Sequence, residues 1–204
     1  PFFVRQGMNY DRGFNAFFYL AGQAYSEGNY TRSNWRFEED RCAPSTISAA
    51  AKWLEKNYKK KFFLYVDLWD PHEPWDAPVW YTHLYDPKYD GNYKYPVYTY
   101  WSKVSGMTEE DVKKSYAAYC GEITMVDRWI GYLLDQIEYM SLSDNTAVIF
   151  TTDHGFYFGE HGGLFGKLIR KEGPVTGDAW VRSPLYEEIV HIPLWVRVPG
   201  KKPG

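Results

Sequence analysis

Residues 145–167 read NTAVIFTTDHGFYFGEHGGLFGK and constrain this chain more than any other stretch. A short apolar run, Ala147–Phe150, breaks off at Thr151-Thr152 and is followed at once by Asp153-His154-Gly155. β-Branched and apolar residues without alternation are what a strand buried on both faces of an α/β sheet requires. Ligands of open α/β sheets sit just beyond the carboxyl ends of the strands. Asp153 and His154 are therefore expected to leave the sheet where chemistry is done. An adjacent Asp and His can both ligate a divalent cation, and Lys167, on the glycine-rich loop that follows, can reach an anion bound to it. Read alone, Asp-His-Gly suits a tight turn with a helix cap better than a site.

A second segment repeats the pattern. Phe62-Phe63-Leu64-Tyr65-Val66 is apolar, and Asp67-Leu68-Trp69-Asp70-Pro71-His72-Glu73-Pro74-Trp75 breaks it. Pro71 and Pro74 stiffen the backbone around His72 and prevent it from continuing as helix or ladder. If the two strands are parallel, His72 and Asp153 emerge at one sheet edge, and the long helical segment between them supplies the crossover a parallel pair needs. A histidine held there can donate to an anionic oxygen or protonate a leaving group.

The remaining elements fit that plan. Thr108-Glu109-Glu110-Asp111 predicts a capped helix start, and Val112, Tyr116, Cys120, Ile123, Val126, Ile130, Leu133, Leu134 and Ile137 mark its expected apolar face. Glu122 and Asp127 on this helix read as structural or surface groups. Ile47, Ala50, Ala51, Leu54 and Tyr58 recur at helical spacing, with Ser45 or Thr46 as the expected cap behind Pro44. Tyr186-Glu187-Glu188 reads as a short helix leading into a strand at Leu194–Val198. The predicted class is α/β: a largely parallel central sheet flanked by helices, with residues 1–204 a single piece. Two stretches, 76–101 and 156–181, read as irregular loops near the site, the first rich in Tyr, Trp and Pro. Its aromatic faces, and Trp75 before it, could stack on a sugar or aryl group. A net charge of −3 gives no reason to expect nucleic acid or an anionic membrane as partner. No apolar run is long enough to span a membrane, and the two cysteines, Cys42 and Cys120, form no disulfide framework. Cys120 reads as a buried thiol. Compartment and oligomeric state leave no mark.

FFLYVDLWDPHEPW, then YCGEITMVDRWIGYLLDQIEYMSLSDNTAVIFTTDHGFYFGEHG with Lys167, then LYEEIVHIPLWVRVPG, together resemble the second part of the sulfatase catalytic domain, in the alkaline phosphatase superfamily. GMNYDRGFNAFFYLAGQ resembles the family's GFD-type segment. The resemblance covers essentially the whole chain in the expected order. It implies an alkaline-phosphatase-like fold, incomplete at its N-terminal side, and a metal-dependent hydrolase of small-molecule or carbohydrate sulfate esters. Asp153 and His154 match the downstream metal-ligand pair, and His72 matches the histidine that contacts sulfate and assists the leaving oxygen. Lys167 matches the lysine on a sulfate oxygen. Calcium is the implied metal, although imidazole suits manganese or zinc better. The family's nucleophile, a formylglycine made from the cysteine of C-x-P-S-R, is expected upstream of Pro1, so this chain is expected to hold only the downstream half of the site and to be inactive alone. Cys42-Ala43-Pro44-Ser45-Thr46 imitates that motif but has Thr46 where Arg is needed. Two alternatives remain at this stage: a phosphodiesterase or phosphonate monoester hydrolase of the same superfamily, and a catalytically inactive fragment or pseudoenzyme.

Overall fold

The computed structural model describes residues 11–20, 36–170 and 180–201. Residues 7–10 and 21–23 of the GFD-type segment, and 171–179 of the glycine-rich stretch, lie outside the described residues. Helix α1 spans Cys42–Asn57 and buries Ile47, Ala50, Ala51 and Leu54, the predicted stripe. It begins earlier than expected. The Asp70 carboxylate, from a distant part of the chain, accepts the Ala43 N–H at 2.7 Å. Ser45 and Thr46 instead donate their hydroxyls back to the Cys42 carbonyl at 3.0 and 2.8 Å. The orphan N–H groups of a first turn need acceptors from somewhere, and a cap arriving from another segment leaves no local sequence signature. Pro44 sits within that first turn, where its missing N–H costs little.

Helix α2 is the short Val79–Thr82, and α3 runs over Glu109–Tyr139. The α3 start is the predicted one, with a reciprocal box between Thr108 and Asp111. Its buried face matches the expected stripe in part, at Val112, Val126 and Ile137, and departs from it elsewhere. Ser115, Ala118, Gly121, Glu122 and Met125 are buried, whereas Tyr116 and Ile123 are exposed and Cys120 is half-buried. Periodicity located the helix, but close approach of α2 selects small residues on the packed side.

The strands are β1 (Thr99–Tyr100), β2 (Val148–Thr151), β3 (Tyr157–Phe158), β4 (Leu164–Gly166), β5 (Leu168–Arg170), β6 (Trp180–Arg182) and β7 (Leu194–Arg197). Helices α4 (Glu160–Gly163) and α5 (Glu187–Val190) complete the order. The expectation of a largely parallel sheet is corrected. Among the described residues every ladder is antiparallel: β1-β4-β3, β2-β7 and β5-β6. Residues 62–66 run without a ladder, although their exposure alternates as a strand's would. The partner that reaches β2 is β7, which returns along it in register from Val148↔Arg197 to Thr151↔Leu194. β2 is also open on one face, with Ile149 68% exposed, so its apolar run does not mark burial on both sides. The two stretches expected to be irregular carry short elements: α2 and β1 in 76–101, and β3, α4, β4 and β5 in 156–170.

Three apolar clusters hold these pieces together. Trp75, Tyr89, Val112, Ala118 and Phe165 pack under the 70–77 loop, ringed by Tyr93, Tyr119, Phe156 and Phe158. Leu54, Ile137 and Leu142 join α1 to α3, with Phe62 and Val148 beside them. Tyr157, Leu164 and Ile189 tie α5 to the β3-β4 hairpin. Among the described residues no helix is long and apolar enough to cross a membrane.

Candidate active site

The 70–77 loop presents His72. Both of its X-Pro bonds, Asp70-Pro71 and Glu73-Pro74, are cis. The His72 N–H donates to the Trp69 carbonyl at 3.0 Å, and the imidazole lies against the Trp69 ring at a centroid distance of 4.3 Å. The ring's Nδ1 is 2.6 Å from the Glu73 carbonyl oxygen, which can only accept. Nδ1 therefore carries the proton and Nε2 the lone pair. That lone pair faces Lys167, whose Nζ stands 2.6 Å away. Residues 95 positions apart in sequence thus meet.

Glu73 completes the constellation, and the sequence reading gave it no role. Its side chain is only 4% exposed, and its Oε2 accepts from Lys167 Nζ at 3.2 Å. Its Oε1 accepts the Tyr98 hydroxyl. Tyr98 is itself pinned, donating its N–H to the Phe165 carbonyl at 2.8 Å and accepting from the Arg170 N–H at 2.7 Å. An acid between two prolines beside a candidate histidine was the available signal. His72 titrates below the ordinary histidine value, chiefly because burial disfavours its charged form. The neighbouring charges of Lys167 and His154 push in the same direction, while Glu73 opposes them.

Asp153, His154 and Gly155 leave β2 through a bend at Asp153. The Gly155 N–H donates to the Ile189 carbonyl of α5 at 2.9 Å, and a Cβ on Gly155 would lie 1.9 Å from the Glu188 carbonyl oxygen. Only glycine allows the chain to lie against α5 this closely. The Asp153 Oδ1 accepts the His154 N–H at 2.9 Å, and the His154 Nδ1 contacts the Gly155 carbonyl at 2.8 Å. His154 Nε2 is then the free lone pair, 3.6 Å from Asp153 Oδ2. Two donors at that separation fit one divalent cation, which binds nitrogen and oxygen at about 2.0–2.6 Å. Asp153 is 85% exposed and open to an ion. Among the described residues no group of three or more His, Cys, Asp or Glu side chains that could hold a metal ion gathers. Asp67, also without a role in the sequence reading, lies within electrostatic reach. Burial, and then the Asp153 charge, hold its carboxyl above the usual range.

One expectation changes. Trp75, expected to stack on substrate, is 2% exposed and enclosed by Tyr93, Tyr119, Phe156 and Phe158 at centroid distances of 5.2–5.7 Å. A ring covered on all sides has no face for a ligand, and Trp75 is a core residue under the loop. His161 organises its loop: at φ 52° it stacks on Tyr186 at 3.7 Å, and its Nε2 is 2.8 Å from Glu188 Oε2.

The sulfatase family model matches residues 2–204. An arylsulfatase of Clostridium perfringens (strain 13 / Type A) is 30% identical over 169 residues, which is 75% of this chain and 34% of that protein. A sulfatase of Formosa agariphila is 30% identical over 186 residues, 78% of this chain and 35% of that protein. The chain thus spans about a third of the length of these relatives. In fold it resembles a phosphonate monoester hydrolase from Silicibacter pomeroyi, with a TM-score of 0.62 at 23% identity over 82% of this chain and 34% of that one. The chain belongs to the sulfatase family.

Proposed function

We propose that this chain supplies the anion-binding and leaving-group side of a metal-dependent sulfate ester hydrolase, with the nucleophile contributed by polypeptide upstream of Pro1. The observation that carries the reading is the 2.6 Å approach of the Lys167 ammonium to the His72 Nε2 lone pair. A sulfate oxygen arriving at Lys167 brings negative charge to a neutral imidazole. Once the Lys167 N–H turns from the ring to that oxygen, the charge favours uptake of a solvent proton at Nε2, the only ring nitrogen not already donating. The imidazolium can then hand its proton to the leaving alkoxide, while Lys167 holds the developing charge on sulfate. Glu73 and Tyr98 fix the ammonium in place. Asp153 and His154 would hold the divalent cation, whose role is to polarise a sulfate oxygen. Calcium, manganese and zinc are all compatible with a carboxylate and an imidazole.

The test is a paired assay of the polypeptide carrying the upstream segment, on an aryl sulfate and on a phosphonate monoester. We expect sulfate ester turnover, and His72→Ala should lower it by about 10²-fold or more while metal content stays near wild type. Faster turnover of the phosphonate ester would move the reading to the alternative reaction within the superfamily. Undiminished turnover by His72→Ala would remove His72 from the chemistry.

A further inference from the structure

The loop that carries His72 is fastened at both ends to groups with no part in the site. At its start, the Asp70 carboxylate is tied to the first turn of α1 through the Ala43 N–H. At its end, Glu122 Oε2 accepts two consecutive backbone N–H groups, from Asp76 at 2.9 Å and Ala77 at 2.6 Å. Glu122 has no exposed surface at all. A helix residue from 45 positions away therefore closes the loop. Its neighbour makes this reach feasible. A Cβ on Gly121 would lie 2.7 Å from Thr82 Oγ1 and 2.9 Å from the Thr82 nitrogen, so only a glycine lets α2 and the loop end come down on α3.

We infer that Glu122 is a positioning residue for His72: by accepting the Asp76 and Ala77 N–H groups it fixes the carboxyl end of the loop and so holds the imidazole against Lys167. The inference rests on reading His72 as a site residue, but the geometry and its test are independent of turnover. A buried carboxylate is a costly way to cap two amides unless the amides have no other acceptor. Glu122 is not acting as an ordinary charge. Burial first, and then the negative charges of Asp70 and Asp76, raise its proton affinity well above the usual range, with Arg41 and the Ala77 N–H opposing. Arg41 binds the carbonyl and carboxylate of Asp76 on the other side of the same loop end. What the loop requires of position 122 is an acceptor oxygen of the right reach rather than a negative charge.

The experiment is amide hydrogen exchange and histidine-imidazole NMR on the 204-residue chain, in wild type, Glu122→Gln and Glu122→Leu. Glutamine keeps an acceptor oxygen without the charge, so the Asp76 and Ala77 amides should stay protected and His72 should titrate as in wild type. Leucine, of similar size, should expose both amides by about 10-fold or more in exchange rate, and the His72 titration should rise toward the ordinary histidine value. Loss of protection at these amides in the glutamine variant with His72 titrating as in wild type would overturn the inference, because the loop end would open without moving the imidazole. So would a folded leucine variant with unchanged amides and an unchanged His72. If leucine prevents folding, the glutamine result alone decides. A failed sulfatase reading would leave these two measurements unaffected.

Discussion

Removing the ammonium at position 167 tests the site's electrostatics most directly. Glu73 is almost fully buried and lies 3.2 Å from Lys167 Nζ, with Tyr98 as its other donor. At that separation, an effective dielectric of about 20 gives an attraction of roughly 5 kcal/mol before desolvation is counted. The net value of the pair is smaller, because both ions were taken from water. Breaking it from one side is a different matter, since Lys167→Met leaves the Glu73 carboxylate buried with the Tyr98 hydroxyl and, 3.4 Å from Oε2, the His72 Nδ1 as neighbours but no cation. That should cost about 3–5 kcal/mol, a large share of the ~5–15 kcal/mol that holds a typical domain. Glu73→Gln in the Lys167→Met background removes the stranded charge and should recover part of the loss. The assay is a double-mutant cycle by urea denaturation, read from midpoints at constant slope. Additive losses, with coupling under about 0.5 kcal/mol, would refute the claim that these two groups form one buried pair.

In the polypeptide that carries the upstream segment, Asp153→Ala should abolish binding of a divalent cation, followed by calorimetry with manganese as probe. Equal uptake by wild type and variant would contradict the assignment of the pair. Gly155→Ala forces a methyl against the Glu188 carbonyl and should destabilise the chain by about 1–3 kcal/mol in urea. A wild-type midpoint would show that α5 yields freely. Burial pushes Asp70 up to about 7, against the opposing Ala43 N–H. Its folded value lies above its unfolded one, so its stabilising contribution is complete below the ordinary carboxylate value of 3.8 and is lost as pH rises through about 7. Asp70→Asn should therefore gain stability relative to wild type as pH climbs through that window. A stability difference independent of pH would show that Asp70 titrates normally.

Some of this protein was settled along the chain itself. The α3 start at Thr108 is local, because a capping box is a matter of residues three apart. The α1 stripe, the strands at β2 and β7 and the short α5 are likewise local patterns of apolar residues and turn formers. His72 and Lys167 stand out in the sequence because each combines a reactive side chain with a backbone stiffened or loosened by proline or glycine. What only the tertiary structure decided are the partners. Strand direction depends on which segment lies alongside β2, and nothing within Val148–Thr151 encodes β7 as an antiparallel neighbour. Trp75 looks like a ligand-facing aromatic until four other rings close around it. Glu73 and Glu122 are ordinary acids in sequence. Only the fold puts one under the site lysine and the other beneath the loop that bears the histidine. Buried polar groups take their meaning from the donor or acceptor that meets them, and that donor or acceptor arrives from tens of residues away.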